Sequence, residues 1–131
     1  MAGTVSISYS DSRAGMKSVT WTWTSDASGD ANGTDTKALS GVAVRFVTNP
    51  GATAPSDNYD IVINDADGAD IAAGCLANRD TANTEQAVPT IETTVGSNTY
   101  GTPYVPFDGP LSFAVSNAGN AKQGTCTMYY R

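Results

Sequence analysis

The sequence predicts an all-β protein, a single-domain antiparallel β-sandwich or jelly-roll-like barrel of about seven to nine short strands with long loops. Three observations carry that prediction. Apolar residues recur with a period of two in several short runs, the spacing that puts one face of a strand inward. Those runs are rich in Val, Ile, Thr, Tyr, Phe and Trp, the residues that suit a pleated surface. Clusters of Gly, Pro, Asn and Asp separate them, and no longer window shows helical periodicity. The 131 residues fit one domain, 1–131, with no internal repeat and no linker.

Taken in order, residues 4–9 alternate, with Val5, Ile7 and Tyr9 opposite Thr4, Ser6 and Ser8. Residues 11–15 read as a turn, and 17–24 (KSVTWTWT) alternate again, with Val19, Trp21 and Trp23 on one face. The two runs are expected to pair as a hairpin. Residues 25–35 read as a polar loop and 36–40 as a short strand broken by Gly41. A stronger strand is expected over 42–48, ended by Asn49-Pro50-Gly51, and the next over 59–64. After the Asp65–Gly68 turn, residues 70–73 read as the start of a returning strand. Residues 74–87 fit either an extended connection or a short helical turn. A strand over 88–95 is expected despite Pro89, and 96–110, with three prolines and three glycines, reads as a long excursion. Strands over 111–115 and 125–130 flank a turn at 117–124.

Composition excludes several functions. Seven Lys+Arg against thirteen Asp+Glu give a net charge of −6, which disfavours a nucleic-acid partner. The absence of histidine removes Ser-His-Asp and Cys-His catalysis and His-ligated zinc. Cys75 and Cys126 are too few for a structural zinc site; free thiols are the default, and a disulfide would need an oxidising step. No run is long and apolar enough to span a bilayer as a helix, and residues 1–10 lack the pattern of a signal peptide. Synthesis in a cytoplasm without membrane contact is the resulting expectation.

Few residues invite chemistry. Asp65, Asp67 and Asp70 could offer hard oxygens to Ca²⁺, but Ala69 stands where a further ligand belongs, and a plain Asp/Gly turn explains them as well. Asp57, Asp60 and Glu92 are the carboxylates a glycosidase would need, with no spacing that singles them out. No Gly-x-Ser-x-Gly elbow or phosphate-binding loop occurs, so no catalytic residue and no cofactor are expected. The aromatic residues Trp21, Trp23, Tyr100 and Tyr104 fit a core, a protein interface or a sugar platform. Arg79, Asp80, Phe107, Tyr129 and Tyr130 join Tyr100 and Tyr104 as interface candidates.

Residues 54–60 (APSDNYD), 77–86 (ANRDTANTEQ) and 115–124 (VSNAGNAKQG), the last followed by a terminal strand, resemble a group of small β-rich structural proteins of tailed bacteriophages. The resemblance runs from the Trp21 strand to Arg131. It implies a structural virion protein without catalysis: a capsid decoration, or cement, protein that binds the outer capsid surface. An accessory neck or tail component is the alternative within the group, and a carbohydrate-binding or host-adhesion module the alternative outside it. The implied partners are the major capsid protein and further copies of the chain, by analogy as a homotrimer. The implied location is the virion surface, after synthesis in the bacterial host's cytoplasm.

Overall fold

Alternation sets the framework. A computed structural model describes residues 2–11 and 15–131, and the turn expected around 12–14 lies outside them. Eleven strands and no helix occur among the described residues. β1 (Thr4–Asp11) and β2 (Lys17–Thr24) pair antiparallel from Thr4↔Thr24 to Asp11↔Lys17, the expected hairpin. β3 is Ala31–Thr34 and β4 is Ser40–Pro50. β5 is Asp60–Asn64, β6 is Glu85–Ala87, β7 is Thr90–Val95 and β8 is Asn98–Pro103. β9 (Val105–Asp108), β10 (Ser112–Ser116) and β11 (Gln123–Tyr130) complete the chain.

The larger sheet runs β1-β2-β11-β4, and the outer edge of β4 is shared by β6 and β9. A three-stranded sheet, β3-β10-β5, packs against it. All pairings are antiparallel, so the architecture is a β-sandwich. The third sheet is β7 with β8 alone.

One continuous core lies between the two larger sheets. From β2 it takes Val19, Trp21 and Trp23; from β11, Cys126, Met128 and Tyr130; and from β10, Phe113 and Val115. The Trp21 indole stacks on Phe113 with centroids 5.1 Å apart, and Trp23 meets Tyr59 at 5.5 Å. The glycine at 124 is needed because a Cβ there would come within 2.5 Å of the Trp23 ring. Both tryptophans are therefore core residues, and no indole is left for a sugar platform.

Several expectations are corrected. The strand expected over 36–40 lies earlier: β3 falls inside the segment read as a polar loop, where Asn32, Gly33 and Thr34 hide the alternation but pair with β10. The returning strand expected over 70–73 is reduced to one antiparallel bridge, Asn64↔Asp70, with the Ile71 N–H donating to the Ile63 carbonyl; residues 71–73 then turn, because the Asp70 carboxylate accepts from Ile63, Ala72 and Gly74. The excursion over 96–110 contains two strands, β8 and β9, whose prolines sit at ladder ends and on the sheet edge.

Candidate interaction surface

The outer face of the larger sheet follows from the same alternation that built the core. Thr20, Thr22 and Thr24 of β2 stand beside Thr125 and Thr127 of β11, with β1 adding Thr4, Ser6 and Ser8. Thr20 and Thr127 share a hydrogen bond at 2.9 Å between their hydroxyls. This face is uncharged and hydroxyl-rich.

At one end it changes character. Between Tyr129 and Tyr130 the register with β4 slips, so that Tyr129 faces Arg45 while Tyr130 faces Ala43. Val44 is the extra residue of this bulge, and a bulge re-aims a side chain. Val44 lines a shallow apolar trough of about 300 Å³ together with Met16, Arg45 and Tyr129. The Arg45 guanidinium lies 4.6 Å from the Tyr129 ring centroid and donates to Gln86 Oε1 at 3.4 Å. Ser10, Lys17 and Ser18 line the adjoining hollow, but the Lys17 ammonium lies 5.8 Å from the ring centroid of the inward-facing Tyr130, so Arg45 is the cation at the trough on a chain of net charge −6.

The second feature is the β7–β8 hairpin. It leaves the β4 edge between β6, which pairs with Phe46–Thr48, and β9, which pairs with Ser40–Ala43. Its two-residue turn uses Gly96 at φ 64°, a left-handed conformation that glycine enters freely. Every residue of both strands is exposed. One face carries Ile91, Thr93, Val95 and Tyr100; the other carries Thr90, Glu92, Thr94 and Thr99. Ile91 is 45%, Val95 63% and Tyr100 56% exposed, values ordinary for lysines but not for a cluster of large apolar groups. At its base the Tyr104 N–H donates to the Pro89 carbonyl, and Arg131 lies 5.8 Å from the Tyr104 ring.

Other sequence candidates are occupied by the fold. Asp65 Oδ1 accepts the N–H groups of Asp67 and Ala69. Asp70 accepts three, from Ile63, Ala72 and Gly74. Asp65, Asp67 and Asp70 therefore shape a turn, and the described residues hold no group of three or more acidic, Cys or His side chains placed for a metal. Arg79 donates to the Ala77 carbonyl and pairs with Glu85 at 3.6 Å. Asp80 caps the following loop through Ala82 and Asn83, whose N–H groups hold its carboxyl below the usual range. Both are internal fastenings of the 77–86 segment. Phe107 and Tyr130 leave the candidate surface as well, being buried and in edge-to-face contact at 5.6 Å. Tyr100 and Tyr104 are exposed, and Tyr129 lines the trough.

The carboxylates do not converge either. Asp60 accepts from Asn78 and Asn117 at the start of β5, whereas Glu92 stands on the hairpin. Cys75 and Cys126 are free thiols; burial pushes Cys75 up to about 11 and Cys126 higher still, so neither is a ready nucleophile.

Among the described residues Asp35 is the one buried carboxylate. It is 4% exposed and accepts the Trp21 Nε1 hydrogen at 3.1 Å, while its second oxygen and the Tyr9 hydroxyl approach without closing a hydrogen bond of normal geometry. Burial raises its pKa, opposed by the hydrogen bond from Trp21 and by the nearby Tyr9 hydroxyl.

Sequence reasoning singled out Tyr100, Tyr104 and Tyr129, which are exposed or line the trough, but not Val44, Met16, Ile91 and Val95. The Val-Gly-Ser-Asn run between two alternating segments is a hairpin signal that the nearby prolines obscured. The bulge that turns Val44 outward has no local sequence signal. No protein-family model, curated protein or solved structure matches this chain. Among the described residues no helix is long and apolar enough to cross a membrane.

Proposed function

We propose that the chain is a structural virion protein of a tailed bacteriophage, a decoration or cement protein that binds the outer capsid surface and stabilises contacts between capsomers. The observation that carries this reading is the β7–β8 hairpin, a fully exposed arm holding Ile91, Val95 and Tyr100 out of a closed sandwich. An isolated two-stranded hairpin is marginal in water, so an apolar arm of this kind suits a partner surface better than solvent. The resemblance of residues 54–60, 77–86 and 115–124 to phage structural proteins points to the particle as that partner's setting. Many such contacts on one shell would add through multivalency, with the major capsid protein and further copies of the chain as partners. The role needs no catalysis, cofactor, membrane or nucleic acid.

A neck or tail role would use the same arm at a different place, and copy number separates the two. Quantitative mass spectrometry of purified particles is expected to give a copy number comparable with that of the major capsid protein. A handful of copies per particle would move the protein to the neck or tail. Its absence from particles would overturn the reading and return attention to Tyr100 and Tyr104 as a glycan-facing pair.

A further inference from the structure

Two features of the surface complement each other. The arm is apolar on one face and carries Glu92 as its sole charge between residues 88 and 104. The trough is apolar and carries Arg45 as its one charged lining residue. Among the described residues neither Arg45 nor Glu92 has an ion-pair partner.

Their positions matter as much as their chemistry. Val44 and Arg45 lie on β4 between the stretch that pairs with β9 and the stretch that pairs with β6. The arm springs from the chain between those same two strands. Donor and acceptor surfaces are therefore neighbours on one edge of the larger sheet. A two-fold contact requires such a self-complementary patch, because each copy must give and receive around one axis.

We propose that two copies of this chain pair by reciprocal arm exchange, each seating its Ile91–Val95–Tyr100 face in the partner copy's trough over Val44 and Tyr129. The arm is one sheet thick, so Glu92 on its reverse face stands at the rim of the contact, within reach of Arg45. Glu92 has Gly101 opposite it, which leaves its side chain unobstructed. The chain carries a net charge of −6, so two copies repel each other overall and attract where Glu92 approaches Arg45.

The area is adequate. Five apolar side chains on the arm and its base, Val88, Ile91, Val95, Tyr100 and Tyr104, are 43% to 63% exposed. The three on the docking face, Ile91, Val95 and Tyr100, present ~300 Å² of surface, and a reciprocal contact that covers both faces and the surfaces receiving them removes ~1,200 Å² in total, the lower end of a standard stable interface. The geometry favours a pair over the trimer that analogy with decoration proteins suggests.

The inference deepens the assembly reading and rests on it, but its test is made on the isolated chain, so that either can fail alone. Sedimentation velocity of the full chain across the micromolar range should show a concentration-dependent monomer–dimer equilibrium. The double variant Val95→Ser/Tyr100→Ser, altered only at exposed positions, should weaken that dimer by about tenfold or more while melting temperature and near-ultraviolet dichroism stay unchanged. Arg45→Glu and Glu92→Arg should each weaken it, more so at low salt, and the combined variant should recover part of the loss. A chain that stays monomeric throughout overturns the proposal, as does a dimer indifferent to the arm variants. Arm variants that remain dimeric yet no longer bind capsids assign the arm to the capsid protein and also overturn it. An arm-dependent dimer in a protein absent from particles supports the exchange and removes the capsid reading.

Discussion

β2 and the β7–β8 arm are built from the same alternating code and meet opposite fates. In β2 the inward residues Val19, Trp21 and Trp23 are 0–1% exposed. In the arm Ile91, Val95 and Tyr100 occupy equivalent positions on their strands and stay about half exposed or more. The difference is what lies opposite. β2 faces β10 across the sandwich, where Phe113 receives Trp21, whereas among the described residues the arm pairs with no further strand and stays exposed throughout. Alternation thus specifies a strand and its two faces, while a second sheet decides whether the apolar face is sheltered.

The largest effect should come from breaking the sheltered side. Trp21→Ala removes the Phe113 stack and the hydrogen bond to Asp35, and should lower stability by about 3–5 kcal/mol in chemical denaturation. A loss under about 1 kcal/mol would mean that the core does not depend on the stack.

Asp70→Ala comes next, because it leaves the N–H groups of Ile63, Ala72 and Gly74 without their acceptor. The expected loss is about 1–2 kcal/mol, while a chelator should leave the melting temperature of the wild-type chain unmoved. A chelator-induced drop would show that the acidic turn holds a cation after all.

Asp35 tests the core wall in the other direction. Its pKa is raised in the folded state, so it favours folding most at low pH and that contribution is lost as pH rises through the folded value. Asp35→Asn keeps an acceptor for Trp21 and supplies a donor beside Tyr9. It should add about 1 kcal/mol at neutral pH and flatten the stability profile just above the carboxylate range. A steeper profile in the variant would contradict the assignment.

The smallest effect should be on the arm. Val95→Ser changes an exposed side chain with no covering element, and should shift the stability of the monomer by less than about 0.5 kcal/mol. A larger loss would show that the arm packs on its own sandwich, and the contrast with β2 would collapse.

The residues that were legible share a physical reason. β1, β2, β4, β5, β10 and β11 declare themselves because their inward residues are large and apolar and their outward ones are hydroxylic. β3 does not, since Asn32 and Thr34 are exposed and its inward residues are only Ala31 and Gly33; its place comes from pairing with β10. β6 is three residues long, too short for a period to register, and exists because β4 offers it an edge. The candidate surface divides in the same way. Tyr100 and Tyr104 stood out as aromatic residues in a Gly/Pro-rich stretch, whereas the trough depends on a register slip between β11 and β4. Arg79 and Asp80 read as interface candidates because sequence shows a charge without its partners, which here are Glu85, Ala77, Ala82 and Asn83.

By itself, the sequence determined the all-β class, the face each strong strand turns inward and the unsuitability of the chain for histidine-dependent chemistry. Those are local properties, set by period, side-chain type and composition. The tertiary structure alone decided which apolar faces meet, that Val44 turns outward, that Asp35 sits against Trp21, and that the arm stands clear of the sandwich. Each of these depends on contacts between residues far apart in the chain, and such contacts exist only once the sheets have paired and closed on one another.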